Sequence, residues 1–193
     1  MDDLLDDIIA FTDRAHGTQT RKYTPDRYIV HPVRVMQLCS VYTNDLTVLA
    51  AAILHDVLED TATGETEIRA FLLTRMRVNS VDKTLLLVKE LTDIYTKERY
   101  PLWNRRKRRT MEAERLAEIS GDAQTIKYAD IIDNSKEIIP NDPGFAHSFL
   151  TECKAILLLA TKGNAVLRQM ALEHVNDGLD ELAKNKRIRS GHT

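Results

Sequence analysis

Four ionisable side chains follow a nearly unbroken apolar run in this chain. The run covers residues 46–54, and His55, Asp56, Glu59 and Asp60 come directly after it. On a continuous helix, residues four apart lie on one face, so His55 would pair with Glu59 and Asp56 with Asp60. Buried carboxylates are costly unless they are paired or bound to a metal. The segment therefore predicts a buried helix whose last turn opens into a polar cavity that holds a cation.

Two other segments supply side chains of the same kinds. A proline follows His31, which is typical of the first turn of a helix and places this imidazole at a helix mouth. Asp130 and Asn134 are four residues apart within an apolar stripe, so they share one helix face. Two imidazoles and two carboxylates without a thiolate suit Mn, Fe, Zn, Co or Ni. The predicted ligands of one divalent ion are thus His31, His55, Asp56 and Asp130.

Each of these residues also has a purely structural interpretation. His31 could cap a helix, Asp130 could pair with Lys127 inside the protein, and Asn134 could be a hydrogen-bonded core amide. The metal site is preferred because these structural interpretations would all have to hold by chance in one chain that also carries the charged run after residue 54. Structural roles are predicted for the remaining histidines, which are His16, His147, His174 and His192.

The order of these motifs resembles the HD-domain phosphohydrolases. The similarity covers roughly residues 8–155 and is greatest to the hydrolase domain of RelA/SpoT-type enzymes, in particular to their stand-alone small alarmone hydrolases. It rests on Arg21-Lys22 before Tyr28-Ile29-x-His31-Pro32, on His55-Asp56-x-x-Glu59-Asp60-Thr61, and on Lys127-x-Ala129-Asp130-x-x-x-Asn134. The resemblance implies a role in the stringent response, namely hydrolysis of the 3′-pyrophosphate of (p)ppGpp to GDP or GTP and pyrophosphate. Mn²⁺ is the expected ion.

Residues beside the predicted metal are assigned to catalysis and to substrate binding. Glu59 is the expected general base for the attacking water, with Asp60 as its partner or substitute. Arg21 and Lys22 are expected to neutralise charge on the substrate phosphate. Asn134 is expected to hydrogen-bond the sugar or a phosphate of the substrate.

One part of the family pattern is missing. In alarmone hydrolases an Arg and, one turn later, a Tyr follow the Asn motif and help to hold the nucleotide. The corresponding stretch here contains Phe149 and Cys153, and Lys154 is the expected substitute for one of the two. Two alternatives therefore stay open. One is an HD-type phosphatase or pyrophosphohydrolase for another nucleotide (a dNTP, a nucleoside monophosphate or NADPH), and the other is a nucleotide-sensing module without turnover.

Five consecutive basic residues, 105–109, form the strongest charge run of the chain. Consecutive residues fan around a helix, so the five side chains cannot share one face. A solvated helix face, non-specific RNA contact and phosphate binding by a subset of the five are the three interpretations.

Composition limits the class of protein. A chain of 193 residues with 43% hydrophobic side chains suits a single domain with an ample core. A net charge of −2 argues against a general nucleic-acid-binding protein.

Cys39 and Cys153 lie in apolar helical patterns, which predicts reduced thiols. The acidic N terminus and the absence of a long apolar run predict a cytoplasmic protein without a signal peptide or a membrane segment. Its predicted partner is a small nucleotide, and homo-oligomerisation is left open.

Helical periodicity runs through nearly the whole chain, without a convincing strand alternation. The predicted fold is therefore all-α, a single-domain helical bundle of the HD type. Its predicted extent is residues 1–180, and residues 183–193 are predicted to be a disordered tail. The predicted helices cover about 3–16, 32–42, 46–59, 65–76, 80–92, 102–119, 122–139, 146–172 and 175–186.

Overall fold

Helices make up the whole fold in the part of the chain that the computed structural model describes, residues 3–190. Over that range there is no strand, only an isolated bridge between Thr20 and Arg27. The helices are α1 Asp3–His16, α2 Val30–Ser40, α3 Leu46–Leu54, α4 Val57–Asp60, α5 Glu65–Leu73, α6 Val78–Leu91, α7 Arg105–Glu118, α8 Gly121–Asn141, α9 Pro143–Leu159 and α10 Ala165–Ser190. The predicted all-α fold is confirmed.

Helix α3 lies at the centre of the core. Every residue from Thr47 to Leu54 is buried, and α1, α2, α6 and α8 all pack against this short helix. Its first turn is fixed by Asp45, whose carboxylate accepts a hydrogen bond from the Thr47 backbone N–H at 2.8 Å. An apolar helix that is covered on all sides holds its C-terminal end in a constant position, and the charged cluster begins at that end.

The helix that we expected over residues 46–59 is interrupted at His55 and Asp56, so that prediction is wrong for its last turn. His55 Nδ1 donates to the Ala52 carbonyl at 2.8 Å. That oxygen would accept from the Asp56 N–H in a continuous helix, so the imidazole takes the place of a backbone donor. The break turns the two side chains that follow α3 toward the same cavity.

The last two helices also meet at a different point from the predicted one. We expected helices at 146–172 and 175–186, whereas α9 ends at Leu159 and α10 begins at Ala165. Buried polar groups of α8 hold the connection: Tyr128 donates to the Ala160 carbonyl at 2.7 Å, and Gln124 Oε1 accepts from the Lys162 N–H. Local periodicity does not report such contacts, because they join segments more than thirty residues apart.

Helix α10 continues through residues 183–190, which belong to the segment for which we predicted disorder. The rest of that segment, residues 191–193, lies outside the described residues. The assignment of residues 1–180 to one domain stays a prediction. Over residues 3–190, the helices lack the combination of length and apolar composition that crossing a bilayer requires.

Candidate active site

Side chains from three parts of the fold converge at one end of α3. His31 lies in the first turn of α2, His55 and Asp56 occupy the junction of α3 and α4, and Asp130 lies in the middle of α8. His31 Nε2 is 3.2 Å from Asp130 Oδ1 and 3.6 Å from Asp56 Oδ2. His55 Nε2 is 3.2 Å from Asp56 Oδ2 and 3.8 Å from Asp130 Oδ1. The structure thus brings together the four side chains that we predicted as metal ligands.

The hydrogen bonding of the His55 imidazole fits a cation beside it. Because His55 donates from Nδ1 to a backbone carbonyl, its Nε2 carries the lone pair, and this buried atom has no hydrogen-bond partner. An unpartnered buried polar atom is costly, and a metal ion would satisfy it. Ligand atoms of His31, His55 and Asp56 lie within 4.8 Å of one another, and Asp130 Oδ1 completes a set of two nitrogens and two oxygens. This donor set suits a divalent transition-metal ion.

Asp133 orients His31, and sequence reasoning missed this role. Its Oδ2 lies 2.7 Å from His31 Nδ1, which leaves Nε2 of the ring to face Asp130 and Asp56. Arg34 holds the same carboxylate through two hydrogen bonds of 2.7 and 3.0 Å, and it also pairs with Glu137. The available signal was a pair of opposite charges, since Arg34 lies three residues after His31 and Asp133 three after Asp130.

Asp130 uses its two oxygens for different partners. Oδ2 accepts a hydrogen bond from Lys127 at 2.8 Å, while Oδ1 faces the histidines and accepts from Asn134 Nδ2. Burial by itself would raise the pKa of Asp130, but Lys127 and the two histidines hold it well below its usual value. Burial likewise opposes a charged imidazole, yet Asp130 and Asp133 raise the pKa of His31 to about 9. The cluster is therefore built to hold positive charge.

Glu59 and Asp60, the two expected acid–base residues, have different surroundings. Glu59 lines the cavity, and its Oε2 accepts a hydrogen bond from the Asp93 N–H at 3.0 Å. Burial, followed by the nearby Asp93 carboxylate, raises the pKa of Glu59 to about 7. Asp60 instead accepts from the Tyr28 hydroxyl at 3.0 Å, and the same hydroxyl lies 2.6 Å from Asp56 Oδ2. Of the two carboxylates, Glu59 is the one placed to meet a water molecule in the cavity.

The cavity beside the cluster has a volume of about 330 Å³. Its polar end includes His55, Asp56, Glu59 and Asp130, and aromatic and aliphatic side chains of α8 and α9 form an apolar wall. That wall consists of Ile131, Ile138, Phe145, Phe149, Cys153 and Ile156.

The predicted substrate-binding residues are distributed over two spaces. Asn134 lines this cavity and also a smaller neighbour of about 250 Å³, which contains Arg21 and Lys22. Arg21 donates to Asn134 Oδ1 at 2.8 Å and pairs with Glu137, whereas Lys22 is largely exposed. Lys154 does not contribute to either cavity.

The HD domain family model matches residues 28–135, a stretch that contains all four converging side chains. Two curated relatives are named guanosine-3′,5′-bis(diphosphate) 3′-pyrophosphohydrolase MESH1. The human one is 31% identical over 133 residues, which is 66% of this chain and 65% of that protein. The Drosophila melanogaster one is 31% identical over 136 residues, which is 69% of this chain and 67% of that protein. The chain thus aligns with about two thirds of the length of each relative.

Solved structures share the same architecture. A metazoan orthologue of SpoT, reported to hydrolyse ppGpp and to play a role in starvation responses, superposes with a TM-score of 0.71 over 95% of both chains at 24% identity. A protein of Listeria monocytogenes EGD-e gives a TM-score of 0.61 over 82% of this chain and 99% of that one at 18% identity. At these identities the likeness shows the fold. With the family match over more than half of its length, the chain belongs to the HD-domain family.

Proposed function

We propose that this protein is a metal-dependent hydrolase that removes the 3′-pyrophosphate of (p)ppGpp and yields GDP or GTP and pyrophosphate. The observation that carries the proposal is the convergence of His31, His55, Asp56 and Asp130 at the cavity that Glu59 lines. Two curated relatives carry this activity in their names and align with 66% and 69% of this chain, which supports the substrate class.

The residues of the cluster divide the chemistry between them. His31, His55, Asp56 and Asp130 would hold the ion, for which Mn²⁺ is the proposed species. When bound, such an ion lowers the pKa of a water ligand and polarises a phosphoryl oxygen. Glu59, with a pKa of about 7, is half deprotonated near neutral pH and can take the proton of the attacking water. Asp93 fixes the position of the Glu59 carboxylate through its backbone N–H.

Binding of the substrate phosphates requires positively charged side chains in addition to the one predicted metal ion. Arg21 and Asn134 are joined by a hydrogen bond at the edge of the cavity, so one phosphate oxygen near them could be bound by both side chains. Lys22 lies beside them on the surface and adds charge without a fixed geometry. Lys154, which we predicted as a further substrate contact, is not supported by its position outside the cavity.

A second candidate substrate follows from the apolar wall of the cavity. Phe149 and Cys153 belong to the stretch that corresponds to the Arg and Tyr of alarmone hydrolases, and both side chains line the cavity. An aromatic surface can stack on a nucleobase of any kind, so the loss of two polar contacts favours a broader nucleotide selectivity. A dNTP, a nucleoside monophosphate or NADPH would then be hydrolysed by the same cluster.

A nucleotide panel decides between these candidates. The purified protein is loaded with Mn²⁺ and incubated with ppGpp, pppGpp, the four dNTPs, nucleoside monophosphates and NADPH, and products are separated by chromatography. GDP and pyrophosphate from ppGpp are expected. Turnover of another nucleotide with ppGpp left intact would replace the first candidate by the second. Binding of ppGpp without turnover by the fully metal-loaded protein would indicate a sensing module.

A further inference from the structure

Glu112 is a buried carboxylate of the cavity to which the proposed chemistry assigns no role. It lies on α7, lines the cavity and is only 2% exposed. Its Oε2 accepts hydrogen bonds from two successive backbone N–H groups, those of Ile94 at 3.1 Å and Tyr95 at 3.0 Å. A buried charge is costly unless it is paired and hydrogen-bonded, so these contacts hold the residues that follow α6 firmly against α7.

Arg115, three residues later on α7, orients the Glu112 carboxylate. Its Nε donates to Glu112 Oε1 at 2.6 Å. The same guanidinium donates from Nη1 to the Glu90 carbonyl at 2.7 Å and from Nη2 to the Thr92 carbonyl at 3.3 Å. Glu112 and Arg115 therefore bind the backbone on both sides of residue 93, through carbonyls before it and N–H groups after it.

The backbone that is held in this way presents the Asp93 N–H to Glu59. That N–H donates to Glu59 Oε2 at 3.0 Å, while Asp93 Oδ2 accepts from Arg109 of α7 at 2.8 Å. Three successive N–H groups, those of residues 93–95, thus bind two carboxylates: the first binds Glu59 and the next two bind Glu112. Because each peptide unit is rigid, a shift of the last two groups would also move the first.

The Asp93 N–H also affects the charge of Glu59. Burial and then the Asp93 carboxylate raise the pKa of Glu59 to about 7, whereas the Asp93 N–H and Lys127 act to lower it and Asp56 to raise it. A hydrogen bond that a carboxylate accepts favours its charged form. Loss of this N–H would therefore raise the pKa of Glu59 further and leave less of the base form at neutral pH.

We propose that Glu112 is a positioning residue for Glu59: oriented by Arg115, it fixes the backbone of residues 92–95 so that the Asp93 N–H holds the Glu59 carboxylate in the cavity. The proposal rests on the function proposed above, in which Glu59 is the base. The effect of Glu112 passes through the backbone, so it requires no contact between Glu112 and the substrate.

The kinetics of Glu112→Gln test this role. The amide keeps the shape of the side chain but has one acceptor oxygen instead of two, so it cannot bind both the two N–H groups and Arg115. The kcat should fall by about tenfold to a hundredfold with KM nearly unchanged, because a displacement of about 1 Å can cost that much. The pH at which turnover rises should move upward. Glu114→Gln, on the exposed face of the same helix, is the matched control and should change neither quantity.

A double-mutant cycle separates positioning from a general loss of structure. If Glu112 acts through Glu59, Glu112→Gln should have little further effect on the residual turnover of Glu59→Gln. If Glu112 served only to join α7 to the end of α6, the variant would lower the melting temperature but leave kcat and the pH profile of the folded enzyme unchanged, which would overturn the proposal. An equal loss of turnover with Glu or Gln at position 59 would overturn it as well.

Arg115→Lys is the second variant, for the case that Glu112→Gln does not fold. Lysine keeps the charge beside Glu112 but lacks the planar fork that reaches both carboxylate and backbone carbonyls. Its kcat and pH profile should change in the same direction by a smaller factor. A wild-type pH profile and kcat in this variant would contradict the proposal.

The ionisation of Glu59 in the metal-free protein tests the positioning without turnover. Carbon NMR spectroscopy follows the glutamate carboxyl groups during a pH titration in EDTA, and the Glu59 signal is identified by its loss in Glu59→Gln. Its midpoint should be higher in Glu112→Gln than in the wild type and in Glu114→Gln. If the wild type hydrolyses no nucleotide, the proposed function fails while this titration still decides the role of Glu112. Equal midpoints in the folded variants would contradict that role even in an active enzyme.

Discussion

Glu59 has the most direct part in the proposed chemistry. Its carboxylate lines the cavity and has a raised pKa, and it comes four residues after the predicted metal ligand His55. Glu59→Gln should retain Mn²⁺ and ppGpp binding but lose turnover by about 10²–10⁴-fold, because the amide cannot accept a proton. Steady-state kinetics together with calorimetric binding measure both effects, and Glu65→Gln on the exposed surface of α5 is the control. Near-normal turnover of Glu59→Gln would assign the base to another group, with Asp60 the next to replace by Asn.

The same residue predicts the pH dependence of the reaction. Burial and the Asp93 carboxylate raise the pKa of Glu59 to about 7, and only the deprotonated form can act as a base. Turnover of the wild-type enzyme should therefore rise as the pH passes through about 7 and level off above it. Residual turnover of Glu59→Gln should lack this step. A wild-type profile that falls over the same pH interval would show that the protonated carboxyl is the active form.

Asp133 gives a prediction about the metal rather than about turnover. Its carboxylate fixes the orientation of His31, and second-layer partners of metal ligands are typically worth 10–100-fold in metal affinity. Asp133→Asn keeps an acceptor for His31 Nδ1 but loses the charge, so Mn²⁺ should bind about tenfold more weakly or worse. Calorimetric titration of the metal-free protein measures this, with the exposed Asp82→Asn as control. Equal affinities in the two variants would limit Asp133 to pairing with Arg34.

At the scale of elements, α8 organises both the site and the connection between α9 and α10. Gly163 of this connection packs so closely on α8 that a Cβ atom would lie 2.6 Å from Tyr128 Cε2 and 2.9 Å from the Thr125 nitrogen. Gly163→Ala should therefore destabilise the protein by about 1–3 kcal/mol through overpacking. Urea denaturation of the metal-free protein measures the change. Gly144→Ala is the matched control, because its Cβ would meet nothing within 4 Å; equal stabilities would show that the connection can move away from α8.

For the molecule as a whole, one ion would join segments that are far apart in the sequence. The predicted ligands come from α2, from the α3–α4 junction and from α8, and His31, His55 and Asp56 are the one group of at least three potential ligands found among the described residues. We expect one tightly held divalent ion per chain by elemental analysis. Mn²⁺ at a hundred times its dissociation constant should also stabilise the fold by about 2.7 kcal/mol. Asp130→Ala should lose both effects, and two tightly held ions in the wild-type protein would contradict the prediction.

The sequence predicted the parts of this protein that depend on residue type and on spacing within one segment. Helical periodicity is a property of neighbouring residues, so the all-α fold followed from it. The four predicted ligands came from residue chemistry and spacing, and the structure brings their side chains together; that they bind a metal stays a prediction. The break of the helix at His55 could not be predicted from the sequence, because it depends on which atom accepts the hydrogen bond of the imidazole in the folded protein.

Only the tertiary structure decided which side chains contact the predicted metal ligands and the residues that line the cavity. The His31–Asp133 contact joins residues 102 positions apart, and the Arg105–Glu152 contact joins residues 47 positions apart. Periodicity indicates which face of a helix is buried, but it does not indicate which helix covers that face or at what height. This packing also determines the ion pairs, because a buried charged side chain is stabilised by an opposite charge on the element that packs against it. For this reason the basic run 105–109 was ambiguous in the sequence. The structure shows that Arg105 and Arg109 line the cavity and that Arg105 pairs with Glu152 of α9.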